Sequence, residues 1–297
     1  MTDQLLWTML RQLLWIMSSS SLVIIVFCTA EVIAGKFKFH SLNDSILDLG
    51  TFAFPELVVS PLVIYVVAAI TTTLLPGDAG ALAGTSIWIQ IIAFLLLDDM
   101  VSYWYHRATH TFPWLWYFHM AHHTPTYMSA SITRRNSYIY LIMHPNLYLV
   151  GILIYLSFGD TFIWYIAVKN TVLTAAHSAI RWDSFLYRYE FLKPIAWVIQ
   201  RTISTPATHC AHHATREDDG IGHFNGNYTV LLFLWDVLFG TARITQQYPP
   251  EFGVPVDPVK GPEPWFVQLL YPLFSPSRQP AAAPLDIRPT SEEQYSR

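Results

Sequence analysis

The sequence predicts an all-α protein, a polytopic bundle of four to five transmembrane helices with a helical cap on the cytoplasmic side. Composition is the first observation behind this prediction. Hydrophobic residues make up 53% of the 297 residues and charged residues 13%, about half the roughly 25% charged share of a soluble globular protein. The second observation is that long apolar segments recur along the chain as far as Ile180. Both features indicate that lipid surrounds much of the protein.

Five segments meet or approach the length of a membrane span. A helix that rises about 1.5 Å per residue needs about 20 apolar residues to cross about 30 Å of hydrocarbon. The segments are Leu13–Ile33, Leu57–Leu75, Ile87–Tyr105, Tyr138–Phe158 and Thr161–Ile180. The first could instead be a signal peptide, since Cys28-Thr29-Ala30 loosely resembles a cleavage site, although Arg11 is the one basic residue at the amino end. Only Gly159 and Asp160 separate the last two segments, which predicts a tight hairpin there.

The distribution of basic residues orients the predicted bundle. When the chain is followed through five spans, Lys36, Arg107, Arg135 and everything after Arg181 fall on one side of the membrane. The loop Pro76–Thr85 on the other side has no Lys or Arg. Because basic loops stay on the inner side, we expect the charged side to be cytoplasmic, in a bacterial inner membrane or the endoplasmic reticulum.

Several classes of protein are disfavoured by charge and cysteine content. The formal net charge of -4 shows no basic excess of the kind that draws a protein to nucleic acid. Cys28 and Cys210 form neither a CxxC pair nor a spaced disulfide framework. We therefore expect a lipid partner rather than a nucleic-acid partner.

Eight of the 12 histidines fall into three short boxes. These are His106-x-x-x-His110, His119-x-x-His122-His123 and His209-x-x-His212-His213. Because residues at i, i+3 and i+4 share one face of a helix, each box is expected to direct two or three imidazoles at one spot. Imidazole binds iron, zinc, copper and nickel, and eight such ligands exceed the needs of one ion. The boxes therefore predict two metal ions with about four ligands each, held by the cytoplasmic cap.

Two known kinds of metal site do not fit these boxes. A zinc-protease site needs Glu directly after the first histidine as its general base, and Arg107 stands there. A carboxylate di-iron bundle needs Glu-x-x-His pairs, and the chain has none.

Histidines outside the boxes receive separate predictions. His177, about one turn inside the end of the fifth span, is a candidate ninth ligand. His144, before Pro145, and His223, in a Gly- and Asn-rich turn, are possible ligands for which a structural role is equally open. We expect His40, in a polar loop, to be solvated.

Two acidic residues in the third segment need partners, since a carboxylate within an apolar span is costly. Asp99 shares a helical stripe with Tyr103, His106 and His110. We therefore predict that Asp99, with Tyr103, supports the site by orienting a ligating imidazole. Asp98 lies on another face and is predicted to pair with Lys169 or Asn170.

The motifs together resemble the fatty acid hydroxylase and sterol desaturase superfamily. The resemblance rests on the three boxes, Asp99-x-x-x-Tyr103-x-x-His106-Arg107, Thr205-Pro206, and Trp235-Asp236-x-Leu238-Phe239-Gly240-Thr241, and it covers roughly residues 90 to 241. His144-Pro145 and His177-Ser178 also fit the family pattern. One departure is Thr229 after Asn227-Tyr228, where family members often have Gly, and it puts the local turn in doubt.

The resemblance implies a histidine-bound metal pair, generally assigned as di-iron. The implied ligands are His106, His110, His119, His122, His123, His177, His209, His212 and His213. The implied activity is hydroxylation or desaturation of a sterol or fatty acyl lipid with dioxygen, with zinc as an alternative occupant of the site in purified protein. No GxGxxG fingerprint is present, so an external donor such as a b-type cytochrome or a ferredoxin would supply electrons. The alternatives are a zinc-dependent membrane lipid hydrolase and a non-catalytic metal-binding membrane protein.

The sequence also predicts three domains. Residues 1–85 would form the amino-terminal membrane helices, and residues 86–241 the histidine-box domain with its hairpin. Within that domain, Phe191–Ile203 is expected to be a helix lying on the membrane surface. Residues 242–297 would form a proline-rich extension that is partly disordered, most of all at Ser275–Arg297.

Overall fold

The computed structural model describes residues 20–254 and 262–274, and these ranges are helical and contain no β-strand. In chain order the helices are α1 (Ser20–Ile33), α2 (Leu42–Phe54), α3 (Ser60–Leu74), α4 (Ile87–Phe94), α5 (Val101–Thr111), α6 (Pro113–His123), α7 (Tyr138–Ile142), α8 (Pro145–Leu153), α9 (Gly159–His177), α10 (Ser184–Arg188), α11 (Lys193–Thr202), α12 (Pro206–His212), α13 (Leu234–Leu238) and α14 (Trp265–Leu270). Turns of π-helix at Pro55–Val59, Leu95–Met100 and Ile154–Phe158 join neighbouring helices.

Three helical stretches are long and apolar enough to cross a membrane. They are Leu42–Leu74, Ile87–Thr111 and Tyr138–His177. The first begins well before the predicted span at Leu57, because Ser41 caps its amino end by accepting a hydrogen bond from the Asp44 amide. The predicted first span, Leu13–Ile33, begins outside the described residues, and its described part forms α1.

The third stretch is a hairpin rather than one straight helix. Ser157 adopts a left-handed conformation, with φ 96°, and the chain reverses there. Asn146 of α8 and Lys169 of α9 both donate to the carboxylate of Asp98, although a straight helix would place them about 35 Å apart. The predicted hairpin is therefore present, but it turns at Ser157, and Gly159 already begins α9.

The Asp98 contacts decide between the two predicted partners of this carboxylate. Lys169 forms the ion pair with Asp98. Asn170 instead donates to the hydroxyl of Ser20 in α1, at 2.7 Å. The prediction of a Lys169 pair is confirmed, and the alternative with Asn170 is wrong.

The hairpin turn and the loop between α3 and α4 lie at the same end of the bundle. The amides of Gly80 and Leu82 donate to the carbonyls of Tyr155 and Leu156, at 3.0 and 3.1 Å. The helices that carry the histidines run from this end to the opposite one, where α5 ends at Thr111 and α9 ends at His177. The bundle thus places the histidines far from this loop.

Buried polar groups lock the outer helices to the segments around the histidines. The fully buried carboxylate of Glu31 in α1 accepts hydrogen bonds from the hydroxyls of Ser129 and Ser178, at 2.7 and 2.8 Å, and from the amides of Ala130 and Ala179, at 2.9 Å. One side chain therefore joins α1 to the chain that follows α6 and to the chain that follows α9.

Arg135 forms a second clamp, between α2 and the segment that follows α6. Its fully buried guanidinium binds the carboxylates of Asp44 and Asp48 in α2 and donates to the Tyr127 hydroxyl at 3.1 Å. A buried cation needs such partners, since an unpaired charge in the interior costs several kcal/mol.

The residues after α9 form a cap of short helices. The predicted surface helix corresponds to α11, which exposes the apolar side chains of Ile195 and Trp197. The carboxy-terminal region also contributes α14, which packs on α2 and α6, where Asn43 accepts from the Trp265 amide at 2.7 Å. The segment Ser275–Arg297, predicted to be disordered, lies outside the described residues.

Candidate metal centre

The histidines lie at the ends of four helices. His106 and His110 are on the last two turns of α5, and His119, His122 and His123 end α6. Phe112 alone separates α5 from α6, and its extended conformation follows from Pro113, because the residue before proline avoids the helical region. The sharp bend between the two helices brings the first two boxes together.

The other two contributions come from distant parts of the chain. His177 is the last residue of α9. The third box lies on α12, where Thr205 caps the amino end, Pro206 occupies the first turn, and the Ala207 amide donates to buried Asp183 at 2.8 Å. Asp183 therefore anchors α12 against the segment that follows α9.

The nine predicted ligands form two adjacent clusters. In each cluster the ligand nitrogens all lie within 4.8 Å of one another. The first cluster contains His106, His110, His119, His123 and His212, and the second contains His122, His177, His209 and His213.

Both HxxHH boxes are divided between the clusters, in opposite senses. The i and i+4 rings of the second box, His119 and His123, enter the first cluster, whereas His122 enters the second. In the third box the i and i+4 rings enter the second cluster, and His212 enters the first. The expectation that all rings of a box point at one spot is therefore wrong for these two boxes. Positions i+3 and i+4 lie on the two edges of the same helix face. Here that face lies between the two clusters, so the i+4 ring enters one cluster and the i+3 ring enters the other.

Hydrogen bonds fix which ring nitrogen faces each cluster. The Nδ1 atoms of His106, His212 and His177 lie 2.5, 2.7 and 2.8 Å from the carbonyl oxygens of Tyr228, Gly226 and Leu173. A carbonyl only accepts, so each Nδ1 carries the proton and donates. In a neutral imidazole the lone pair is then at Nε2, which points into the cluster.

The inward-facing nitrogens lie close to one another. The Nε2 atom of His106 lies 3.1 Å from Nε2 of His212 and 2.9 Å from Nε2 of His119, and Nε2 of His177 lies 2.9 Å from Nε2 of His209. The His106 and His212 atoms are both acceptors, so no hydrogen bond joins them. Two nitrogens bound to one ion at about 2.0–2.1 Å lie roughly 2.9–3.4 Å apart, so the donor set fits a shared cation.

Burial favours the neutral form of these imidazoles, which is the form that binds a cation. Burial, together with neighbouring imidazoles, lowers the pKa of His119, His122, His123, His209, His212 and His213 well below the usual value. A lowered pKa means that the neutral, ligating form predominates at neutral pH. Each cluster could therefore hold a metal ion without first losing protons.

Asp236 stabilises the loop that supplies two of the carbonyls that orient the histidine rings. Asp236 is fully buried and accepts from the amides of Tyr228 and Thr229, at 2.9 and 2.8 Å, and from the hydroxyls of Thr229 and Thr241. Tyr228 and Gly226 of this loop hold His106 and His212. Thr229 thus uses its hydroxyl to bind Asp236.

Two asparagines complete the support of the rings. Asn227, with φ 55°, donates to the carbonyls of Thr208 and Arg243, at 2.8 and 2.9 Å, and so fixes the loop against α12. The Oδ1 atom of Asn136 lies 2.7 Å from Nδ1 of His119. Sequence reasoning missed Asn136, Asn227 and Asp236 as supporting residues. The Trp235-Asp236 motif was a signal for one of them.

Among the described residues, no hydrogen bond joins Asp99 or Tyr103 to a ligating imidazole, so their supporting role stays a prediction. Asp99 accepts from the Leu232 amide and the Trp235 indole, at 3.0 and 2.9 Å, and no hydrogen bond joins it to a histidine. Tyr103 lies 3.0 Å from the hydroxyl of Thr241. Both side chains therefore hydrogen-bond to the segment around α13 rather than to the clusters.

The remaining histidines stand apart from both clusters. His144 packs its ring on Tyr105, with centroids 4.5 Å apart, and His223 contacts the carbonyl of Thr241 at 3.0 Å. Neither belongs to the two ligand groups, so the prediction of either as a ligand finds no support. His40, predicted to be solvated, is exposed but stacks on Tyr127, with centroids 3.3 Å apart.

A cavity of about 250 Å³ connects the clusters with the membrane helices. His106 and His119 of the first cluster and His122, His177 and His209 of the second line one end. The lining continues past Asp98 and Lys169 to Val59 of the π turn before α3. A molecule in this cavity would touch both clusters and also reach side chains within the bilayer.

The fold and the site define a class: a membrane protein whose helices end at a buried, all-histidine centre that could bind metal ions. Residues 91–241 match the family described as fatty acid hydroxylase, and the chain belongs to this family. The chain is 25% identical over 195 residues to alkylglycerol monooxygenase of Danio rerio, an alignment that covers 63% of this chain and 37% of that protein. The chain thus spans little more than a third of this relative. No solved structure matches the chain.

Proposed function

We propose that the protein is a membrane-bound lipid monooxygenase that uses two iron ions, dioxygen and an external electron donor to hydroxylate a C–H bond of a lipid. One oxygen atom of dioxygen would enter the C–H bond and the other would leave as water, with two electrons from a donor protein and two protons. The observation that carries the proposal is the juxtaposition of two histidine clusters at one end of a cavity lined by membrane helices.

The proposed ligands are the nine clustered histidines. One ion would be held by His106, His110, His119, His123 and His212, and the other by His122, His177, His209 and His213. The ions would supply the oxygen chemistry when bound. The chain's own part is to orient the rings through Tyr228, Gly226 and Leu173, to keep them neutral, and to exclude bulk water.

The comparisons support hydroxylation more than desaturation. The family is described as fatty acid hydroxylases, and the relative is named a monooxygenase that acts on an alkylglycerol. A fatty acyl, alkyl or sterol substrate is compatible with the proposal, with desaturation as the variant chemistry. The electrons would come from a b-type cytochrome or a ferredoxin, because the chain has no dinucleotide fingerprint.

The proposed topology places the clusters on the cytoplasmic side, beneath four to five spans. The hairpin turn and the loop 76–85 would then face the other side, in agreement with the absence of Lys and Arg from that loop. In the cap, α11 would lie in the membrane interface, since Ile195 and Trp197 are exposed and Arg201 lies over the Trp197 ring, 4.5 Å from its centroid. We keep the division into domains 1–85, 86–241 and 242–297 as part of this proposal.

The test combines metal analysis with product analysis. The detergent-purified protein should contain about two iron ions per chain, should consume dioxygen when supplied with a reductant and lipid extract, and should yield a lipid one oxygen heavier. His122→Ala and His212→Ala, one from each cluster, should lose metal and activity, whereas a matched change at exposed His40 should not. Zinc content with lipid cleavage and no oxygen uptake would instead establish the hydrolase, and full metal content in both cluster variants would refute the ligand assignment.

A further inference from the structure

The wall of the cavity contains a buried ion pair. Asp98 and Lys169 both line the cavity, and their side chains are 3% and 7% exposed. Each lies eight residues before a proposed ligand, His106 or His177, which corresponds to about 12 Å along its helix. Charged groups at membrane depth are costly to bury, so their presence beside a cavity points to a function.

The Lys169 ammonium has donor capacity to spare. It donates to Asp98 and to the hydroxyl of Ser102, the latter at 3.1 Å. An ammonium has three N–H donors, so one remains for a molecule in the cavity. Asp98 holds the ammonium in place and is itself held by Asn146 and by Tyr165, whose hydroxyl lies 2.7 Å from Oδ2.

The balance of charges around this ion pair determines which kind of substrate oxygen fits beside it. Lys169 is neutralised by Asp98, and Arg134, the other Lys or Arg of the lining, is paired with Glu56. A carboxylate or phosphate placed here would have no uncompensated cation and would lose its hydration. A neutral hydroxyl, ether or ester oxygen would accept the free N–H at a far smaller desolvation cost.

We propose that the Asp98–Lys169 pair is a substrate-recognition site that selects lipids bearing a neutral oxygen and rejects free fatty acid anions. This inference rests on the proposed function, because it assumes that the cavity holds the substrate. The apolar part of the lipid would extend past Leu147, Ile166 and Val59, which line the same cavity. Lys169 is here a specificity-determining residue rather than a ligand of the metal centre.

The test measures binding rather than turnover, so it does not depend on the oxidation itself. Unlabelled hexadecane, 1-hexadecanol and hexadecanoate would compete with radiolabelled 1-hexadecanol on the detergent-solubilised holoprotein. The wild type should bind the alcohol more tightly than either the alkane or the carboxylate. Asp98→Asn, which removes the carboxylate that neutralises Lys169, should shift the binding preference about tenfold or more toward hexadecanoate, the size of one charge-assisted hydrogen bond.

A double variant separates recognition from packing. Asp98→Asn with Lys169→Met removes the donor without leaving an unpaired charge. This double variant should bind 1-hexadecanol about tenfold more weakly than the wild type, and its binding of hexadecane should be unchanged. The matched control is Glu190→Gln with Lys193→Met, which removes an exposed ion pair on the cap. This control should change the binding of neither 1-hexadecanol nor hexadecane.

Three outcomes would overturn the proposal. The wild type could bind the carboxylate more tightly than the alcohol. The ratio of the alcohol and carboxylate affinities could stay the same in Asp98→Asn, or the double variant could bind all three ligands more weakly by the same factor. The last result would mean that the pair only supports the cavity walls. Metal content and oxygen uptake of the wild type, measured in parallel, report separately on the proposed oxygenase function.

Discussion

Replacement of Asp236 by Asn should damage the metal centre from a position that touches no histidine. Each carboxylate oxygen of Asp236 accepts two hydrogen bonds: Oδ1 from the Tyr228 amide and the Thr241 hydroxyl, and Oδ2 from the amide and hydroxyl of Thr229. The Asn amide keeps one oxygen and turns an NH₂ group toward the other two donors. The loop that orients His106 and His212 would therefore lose half of its support.

The size of the effect follows from those contacts. A hydrogen bond to a charged group contributes about 1.5–3 kcal/mol, so the loss of two gives roughly 3–6 kcal/mol. Burial raises the pKa of Asp236, which means that the carboxylate itself is costly to bury, so a neutral amide recovers part of this loss. We expect a net cost near the lower end of that range, together with a 10- to 100-fold weaker hold on metal, roughly the effect of losing an orienting partner.

The assay is metal retention against a graded chelator, with thermal unfolding of the same detergent-solubilised samples. Asp218→Asn is the matched control, since Asp218 pairs with Arg216 on the exposed surface of the cap. Asp236→Asn should release metal at a lower chelator concentration and unfold at a lower temperature than either the wild type or the control. Equal metal retention in all three proteins would refute the reasoning that the loop carbonyls hold the rings.

Three further predictions concern the clamps and the unclustered histidines. Glu31→Gln, which removes the acceptor of one of four hydrogen bonds, should destabilise the protein by about 1.5–3 kcal/mol in thermal unfolding, and an unchanged unfolding temperature would exclude a clamp. Arg135→Met leaves two partly buried carboxylates without their buried cation and should cost about 3 kcal/mol, the lower end of the range for breaking a buried ion pair, seen as a loss of folded, monodisperse protein that Arg135→Lys partly restores. His144→Ala and His223→Ala should keep the metal content of the wild type, whereas His212→Ala should not. Metal loss from His144→Ala as large as that from His212→Ala would place His144 among the ligands.

Most of the architecture could be predicted because it depends on local patterns. Apolar segments of sufficient length identified the stretches around Leu57–Leu75 and Ile87–Tyr105, and the short gap before Thr161 identified the hairpin. Boundaries were less accurate. The helix that contains Leu57–Leu75 begins at Leu42, because its polar first turns are stabilised by the distant Arg135, and no local pattern reveals such a partner.

The candidate site was partly predictable for a related reason. Histidines are rare enough for three boxes to be recognised, and the nine residues named from sequence are the nine that the fold brings together. The partners of Asp99 and the role of Asp236 were not predictable from spacing. Asp99 shares a helical stripe with His106, but α13 packs against it, and Asp236 reaches the rings only through backbone carbonyls of a loop.

The sequence by itself determined the apolar, membrane-spanning character of the chain, the existence of the histidine boxes and their convergence at one end of the bundle, because hydropathy and helical periodicity are local properties. Only the tertiary structure decided how the boxes divide between two clusters, which carbonyl fixes each ring, and that an ion pair shares the cavity with them. These features depend on the rotation of each helix about its axis and on contacts between residues more than a hundred positions apart, such as Tyr228 with His106, and the packing of the whole bundle sets both.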